Sequence, residues 1–196
     1  MPYCEVMTTG PTALLDANVL YPAPLRDLLL RLASTELFRA RWTDDIHKEW
    51  IGNLLNNRPD LSRAQLNRTR RLMDEAVEDA LVTDYEKLIP ALEMPDPGDR
   101  HVLAAAITCG ADVIVTSNLK DFPAKVLQPH GVEAQHPDVF VINLLDLGTD
   151  ACAKAVRAQR LSMKRPAATV ETLLETFERL GLAQTVWRLK EVKHLL

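Results

Sequence analysis

Thr12-Ala13-Leu14-Leu15-Asp16 is the stretch that decides the fold: four residues of mostly apolar character running straight into a carboxylate. A run this short, closed by an acid, reads as a buried strand that delivers a functional side chain at its C-terminal end. A second such run, Val113-Ile114-Val115-Thr116, is β-branched throughout and delivers Asn118 and Asp121 to the loop beyond it. Short segments at Val132-Glu133-Ala134 and Val139-Phe140-Val141-Ile142 read as further strands.

The sequence between the first two strands has helical spacing. Pro24 opens a helix whose Leu25, Leu28, Leu29 and Leu32 face a core, with Leu25 to Ala33 as its body. Thr43 is an N-cap ahead of Asp44 and Asp45, and Ile46, Trp50, Leu54 and Leu55 follow on one face; Glu49 lies on this helix. Another helix begins near Leu61-Ser62 and runs towards Asp79, with Arg63, Arg68, Arg70 and Arg71 on its polar face. Asp99 opens an alanine-rich helix through Ile107 that stops at Gly110. Strand, helices, strand, helix, strand is the order of an α/β fold with a central parallel sheet.

Composition sets outer limits. With 196 residues, 47% hydrophobic, 26% charged, and only 7 Gly and 12 Pro, the chain is globular rather than collagenous or wholly disordered. No apolar stretch approaches the ~20 residues that span a bilayer, and Met1-Pro2-Tyr3-Cys4-Glu5 lacks the features of a secretory signal, so no membrane association is expected. Cys4, Cys109 and Cys152 are odd in number and far apart, which fits a reducing cytoplasm. The charge is uneven: residues 1–150 hold 14 Lys+Arg against 23 Asp+Glu, or −9, whereas residues 151–196 hold 9 against 4, or +5, within an overall −4.

Four acids fall where an α/β fold gathers side chains: Asp16 after the first strand, Glu49 in a helix, Asp99 at a helix start and Asp121 after a late strand. Clustered carboxylates repel and need a compensating cation, and hard divalent ions take oxygen ligands while bridging to phosphates. With 27 acids in the chain, spacing alone does not single out these four. A first-turn acid such as Asp44, Asp45 or Asp99 also serves as an ordinary cap.

The local sequences narrow the choice. Leu14-Leu15-Asp16-Ala17-Asn18-Val19-Leu20, Thr43 with Glu49 six residues on, Asp99-Arg100-His101-Val102-Leu103-Ala104-Ala105-Ala106, and Val115-Thr116-Ser117-Asn118-Leu119-Lys120-Asp121-Phe122 together resemble the PIN-domain ribonucleases, more narrowly the VapC-type toxins of bacterial toxin–antitoxin pairs. The resemblance covers roughly the first three quarters of the chain. It implies a three-layer α/β/α sandwich and a metal-dependent endoribonuclease using Mg²⁺ or Mn²⁺, with Asp16, Glu49, Asp99 and Asp121 as catalytic and metal-binding acids. Asn18, Asn118 and Thr116 are then polar neighbours of that site. It also implies an RNA substrate, a cognate antitoxin protein and a homodimer. Asn118 is neutral where some relatives place another acid.

The expected division is a nuclease domain over residues 1–150 and a basic helical extension over 151–196. In the extension, Leu173, Leu174, Phe177 and Leu180 mark a helix capped by Thr169 and ended by Gly181, and Val186, Trp187, Leu189 and Val192 mark another. Two readings of the extension are open: Lys154, Arg157, Arg160, Lys164 and Arg165 lead an RNA backbone towards the site, or the helical hairpin completes the core or the dimer interface. His101 is expected on a helix surface, and Trp42, Trp50 and Trp187 in packing. Two rivals stand against the nuclease: a Mg²⁺-binding receiver domain with Lys120 as its cation, and a PIN-like fold without catalysis that serves as a binding module.

Overall fold

The computed structural model describes residues 10–164 and 167–196; Cys4, Arg165 and Pro166 lie outside the described residues. The core of the fold is a four-stranded parallel sheet in the order β2-β1-β3-β4, from β1 (Thr12–Leu15), β2 (Arg39–Arg41), β3 (Val113–Val115) and β4 (Glu133–Gln135). Every residue of β1 and β3 is buried, as in strands covered on both faces, which is why each reads as a continuous apolar run rather than an alternation. Helices supply both outer layers of an α/β/α sandwich.

Strand β1 ends at Asp16 because that carboxylate turns back to accept from the Ala17 N–H (2.6 Å) and caps α1 (Ala17–Leu20). Helix α2 (Ala23–Ala33) follows with Pro24 in its first turn, where the missing N–H costs nothing. Thr43 caps α3 (Asp44–Asn57) by accepting from Ile46 N–H at 3.0 Å, and Ser62 with Gln65 forms a capping box on α4 (Arg63–Ala76). The alanine-rich helix is α5 (Arg100–Thr108), entered through a 3₁₀ turn at Pro97–Asp99. Ala104, Ala105 and Ala106 are fully buried, and their small side chains let α5 pack against β1. Gly110 ends it at φ +60, a left-handed position that favours glycine. The short α6 (Ala124–Leu127) leads to β4.

Two expectations fail here. Val139 to Ile142 is not a strand; it lies in α7 (Pro137–Ser162), because His136 accepts from Asp138 N–H as N-cap, Pro137 sits in the first turn and Asp138 is the first-turn acid. Strand β2 carries arginine at both ends and gave no apolar signal. Its pairing with β1 is fixed by a register that sets Ala40 beside Ala13, and Trp42 extends the edge by bridging to Leu81.

The boundary suggested at 150 lies two residues past Gly148, where α7 leaves helical geometry (φ −162, ψ 73) between its two halves. The helix is bent at Gly148, where a Cβ would lie 2.9 Å from Leu37 Cδ2, and its second half lies along α2, with the Gln159 amide donating to Pro24 O at 2.8 Å. In its first half, Phe140 meets Phe38 edge-on at 4.9 Å. Helices α8 (Val170–Arg179) and α9 (Ala183–Glu191) pack on each other, and α9 packs on α7, its N-terminus held by the buried Asp138 carboxylate, which accepts from Gln184 N–H (3.0 Å) and Thr185 N–H (2.8 Å). Trp187 is not a packing residue: it is 64% exposed, and Val186 and Leu189 turn to the core in its place.

Candidate active site

Register brings the first parts of the site together. Leu15 pairs with Val115, so the next residues on the two strands, Asp16 and Thr116, stand side by side at the carboxyl ends of β1 and β3. Thr116 is fully buried, and its hydroxyl donates to Asp16 Oδ2 at 2.7 Å while accepting from Asn18 Nδ2 (2.8 Å) and Asn118 N–H (3.1 Å). Asn18 Nδ2 also donates to Asp16 Oδ2 at 2.5 Å, and Asn18 Oδ1 accepts from Ser117 N–H at 2.9 Å. Each polar group in this knot has a partner, so Asp16 is held in one orientation. Asp121, on the 3₁₀ turn after β3, is held by the Asn118 side-chain amide.

The remaining acids come from the helical layer. Glu49, in the second turn of α3, leaves 46% of its side chain exposed. Partial burial raises its pKa, and Asp16, Asp99 and Asp96 add to the effect, bringing it to about 7. Asp99, at the start of α5, is raised to about 6 by burial and then by Asp16, Asp96 and Asp121. Burial also raises Asp16, against the hydrogen bonds from Thr116, Ala17 and Asn18 that favour its charged form. The charges acting on Glu49 and Asp99 are all carboxylates. Each of the four acids singled out in the sequence therefore lies in one electrostatic field. They are not drawn in to ligating distance: among the described residues, no three His, Cys, Asp or Glu side chains are grouped so as to hold an ion.

Sequence reasoning overlooked two members of this field. Asp96 acts on both Glu49 and Asp99, and its own carboxylate accepts from Gly98 N–H at 2.7 Å, folding the Pro97–Asp99 turn. Its signal was present in Pro95-Asp96-Pro97-Gly98, an acid three residues before Asp99, but a proline-flanked aspartate reads first as a turn. His101 is not on a helix surface. Its Nε2 lies 3.8 Å from Glu49 Oε2, 17% of its side chain is exposed, and its buried Nδ1 has no hydrogen-bond partner among the described residues. Burial lowers its pKa, against the fields of Asp45 and Asp16.

An all-oxygen set of mutually repelling carboxylates, with no lysine or arginine setting their pKa values, has the donor chemistry of a hard divalent cation site. No helix of the described residues is long and apolar enough to cross a membrane.

Comparison with known proteins gives four findings. A "VapC50 C-terminal domain" profile matches residues 137–191, which are α7 to α9. A Mycobacterium tuberculosis protein named "Putative ribonuclease VapC50" is 43% identical over 96 residues, 49% of this chain; the match spans 56%, or about half, of that relative's length. No solved structure matches the chain. A PIN domain profile matches residues 12–120, more than half of the sequence; the match takes in β1, Asp16, Glu49 and Asp99 and ends at Lys120, one residue before Asp121. By this match the chain belongs to the PIN-domain family.

Proposed function

We propose that this protein is a metal-dependent endoribonuclease, the toxin of a toxin–antitoxin pair. The observation that carries the reading is the shared field of Asp16, Glu49, Asp99 and Asp121 at the carboxyl ends of β1 and β3, in which Glu49 reaches a pKa of about 7 and Asp99 about 6. The named relative and the two profile matches support it.

Asp16, Asp99 and Asp121 are the residues that would hold Mg²⁺ or Mn²⁺, with Glu49 beside them. Such an ion, when bound, lowers the pKa of a ligated water and stabilises charge on a phosphate. The chain's own contribution is orientation and proton handling. Thr116, Asn18 and the Ala17 N–H fix Asp16, and Asn118 fixes Asp121. Glu49, poised near neutrality, accepts a proton from water at its carboxylate, and the neighbouring His101 gives that carboxylate a polar partner. In this reading the substrate is RNA, the partners are a cognate antitoxin and a second copy of the chain, and the setting is the cytoplasm.

The test is incubation of purified protein with structured and unstructured RNA. Cleavage in Mg²⁺ or Mn²⁺ that a chelator stops is expected, together with growth arrest on expression that a neighbouring gene product relieves. Intact RNA with both metals across several pH values would leave a PIN fold without this activity.

A further inference from the structure

Behind Glu49 lies a buried run of polar and aromatic side chains outside the four acids. His47 and Trp50 flank Glu49 on α3, and both are fully buried. The Trp50 indole N–H donates to His47 Nδ1 at 3.0 Å. An indole nitrogen only donates, so Nδ1 is the bare, accepting nitrogen and the ring proton sits on Nε2. That N–H donates to Asp74 Oδ1 of α4 at 3.1 Å. The same oxygen accepts from Trp42 Nε1, at the end of β2, at 2.8 Å. On the other side, the Arg26 guanidinium of α2 stands 4.7 Å from the Trp50 ring centroid and donates through Nη1 to Leu20 O at 2.5 Å. Leu20 is the last residue of α1, the helix that Asp16 caps.

We propose that the run Asp74, His47, Trp50, Arg26 and Leu20 is a positioning device that sets the spacing between Glu49 and Asp16, anchored at its outer end by the Asp74 oxygen that accepts from both His47 and Trp42. The proposal rests on the nuclease reading for its activity readout. Its ends are the two elements that carry the paired carboxylates: α1 begins beside Asp16, and Glu49 lies between the two aromatic members on α3. Without an acceptor at position 74, the buried His47 Nε2–H and Trp42 Nε1–H both lose their partner, while the Trp50 N–H still keeps Nδ1 as acceptor, so the His47 ring must move to a new partner rather than change tautomer. Trp50 must then shift, and with it Glu49 and the stacked Arg26. Asp74, His47, Trp50 and Arg26 do not touch the reacting atoms; they are positioning residues.

The experiment compares the full chain with Asp74→Asn, which keeps an accepting oxygen, and Asp74→Leu, which has none. Long-range ¹H–¹⁵N spectra read the His47 tautomer, and steady-state RNA cleavage in Mn²⁺ reads kcat and KM. Wild type and Asp74→Asn should both show Nε2–H and comparable kcat. Asp74→Leu should keep that tautomer, which the Trp50 donor holds, but lose about 10- to 100-fold in kcat with KM little changed, the usual cost of releasing a residue's outer support. If Asp74→Leu does not fold, Trp50→Phe removes the indole donor while keeping a ring against Arg26, and the same fall in kcat with an unchanged circular dichroism spectrum is expected. Wild-type kcat in Asp74→Leu or Trp50→Phe, or a bare Nε2 in the wild type, overturns the proposal. If the wild type shows Nε2–H but cleaves no RNA, the nuclease reading fails alone. Mn²⁺ affinity then takes over as readout: about tenfold weaker binding in Asp74→Leu but not Asp74→Asn supports the positioning role, and equal affinity overturns it.

Discussion

Asp16 and Thr116 form the tightest part of the site, and the pair was only half legible in the sequence. The acid was visible as the end of an apolar run, but the match of Leu15 to Val115 that puts a buried hydroxyl beside it is a property of sheet register. Thr116→Val keeps the shape and removes the hydroxyl that serves three partners. It should cost about 1–3 kcal/mol in urea unfolding, the range for leaving buried polar groups unpaired, and should lower RNA cleavage by more than tenfold, as loss of such support typically does. Unchanged stability and activity would mean that the knot around Asp16 has no part in either. Glu49 gives the pH test. Its folded-state pKa of about 7 exceeds the ordinary 4.5, so the native state keeps a proton that the unfolded chain releases first. Its stabilising share is full below pH ~4.5 and is lost as pH rises through about 7. Glu49→Gln should remove that share of the slope and stabilise the metal-free protein at pH 8 by about 1 kcal/mol, discounted because the side chain is half exposed. Urea melts in chelator at pH 5 and pH 8 check this; a mutant slope equal to the wild-type slope would contradict it.

At the level of elements, α3 carries Glu49, and its start was legible because a Thr-Asp-Asp cap precedes an apolar periodicity. Thr43→Ala removes the bond from Ile46 N–H at a fully buried position and should cost about 1 kcal/mol. Thermal unfolding of Thr43→Ser, which keeps the hydroxyl, should stay near wild type; equal losses in both variants would point to packing of the threonine methyl instead. Val139 to Ile142 shows where the sequence misled: a tetrad of three β-branched residues and a phenylalanine reads as a strand until the His136-Pro137-Asp138 helix start ahead of it is given weight. Strand β2 was illegible for the opposite reason, since arginines at an edge hide a segment whose only buried residue is Ala40. The run from Asp74 to Leu20 could not be read at all, because it joins four elements, α4, α3, α2 and α1, through contacts that depend on tertiary packing.

On the scale of the whole molecule, the acidic body and the basic tail are one folded unit in which α7 passes through the charge boundary. Its second half lies along α2, Asp138 holds the start of α9, and Arg160 turns inward, within 3.4 Å of Ala168 O and 3.5 Å of Leu196 O. Of the cations singled out in the sequence, Lys154, Arg157 and Lys164 remain exposed. A chain cut after Asp150 should lose cooperative unfolding, since it uncovers the apolar face of α2; a sharp melt of the fragment would restore two independent domains. The α/β order and the C-terminal helices were legible from periodicity and caps, whereas the packing of tail on body was not, because it rests on tertiary contacts such as Gln159 to Pro24 O and the Asp138 carboxylate at the start of α9. The claim that the acids of this fold form a nuclease centre is tested most directly by the rate of RNA cleavage in Mn²⁺ for wild type and Asp16→Asn at equal concentration. The account predicts metal-dependent cleavage by the wild type and none by a variant whose circular dichroism spectrum and melting curve show an intact fold. Equal cleavage by the two proteins would contradict it.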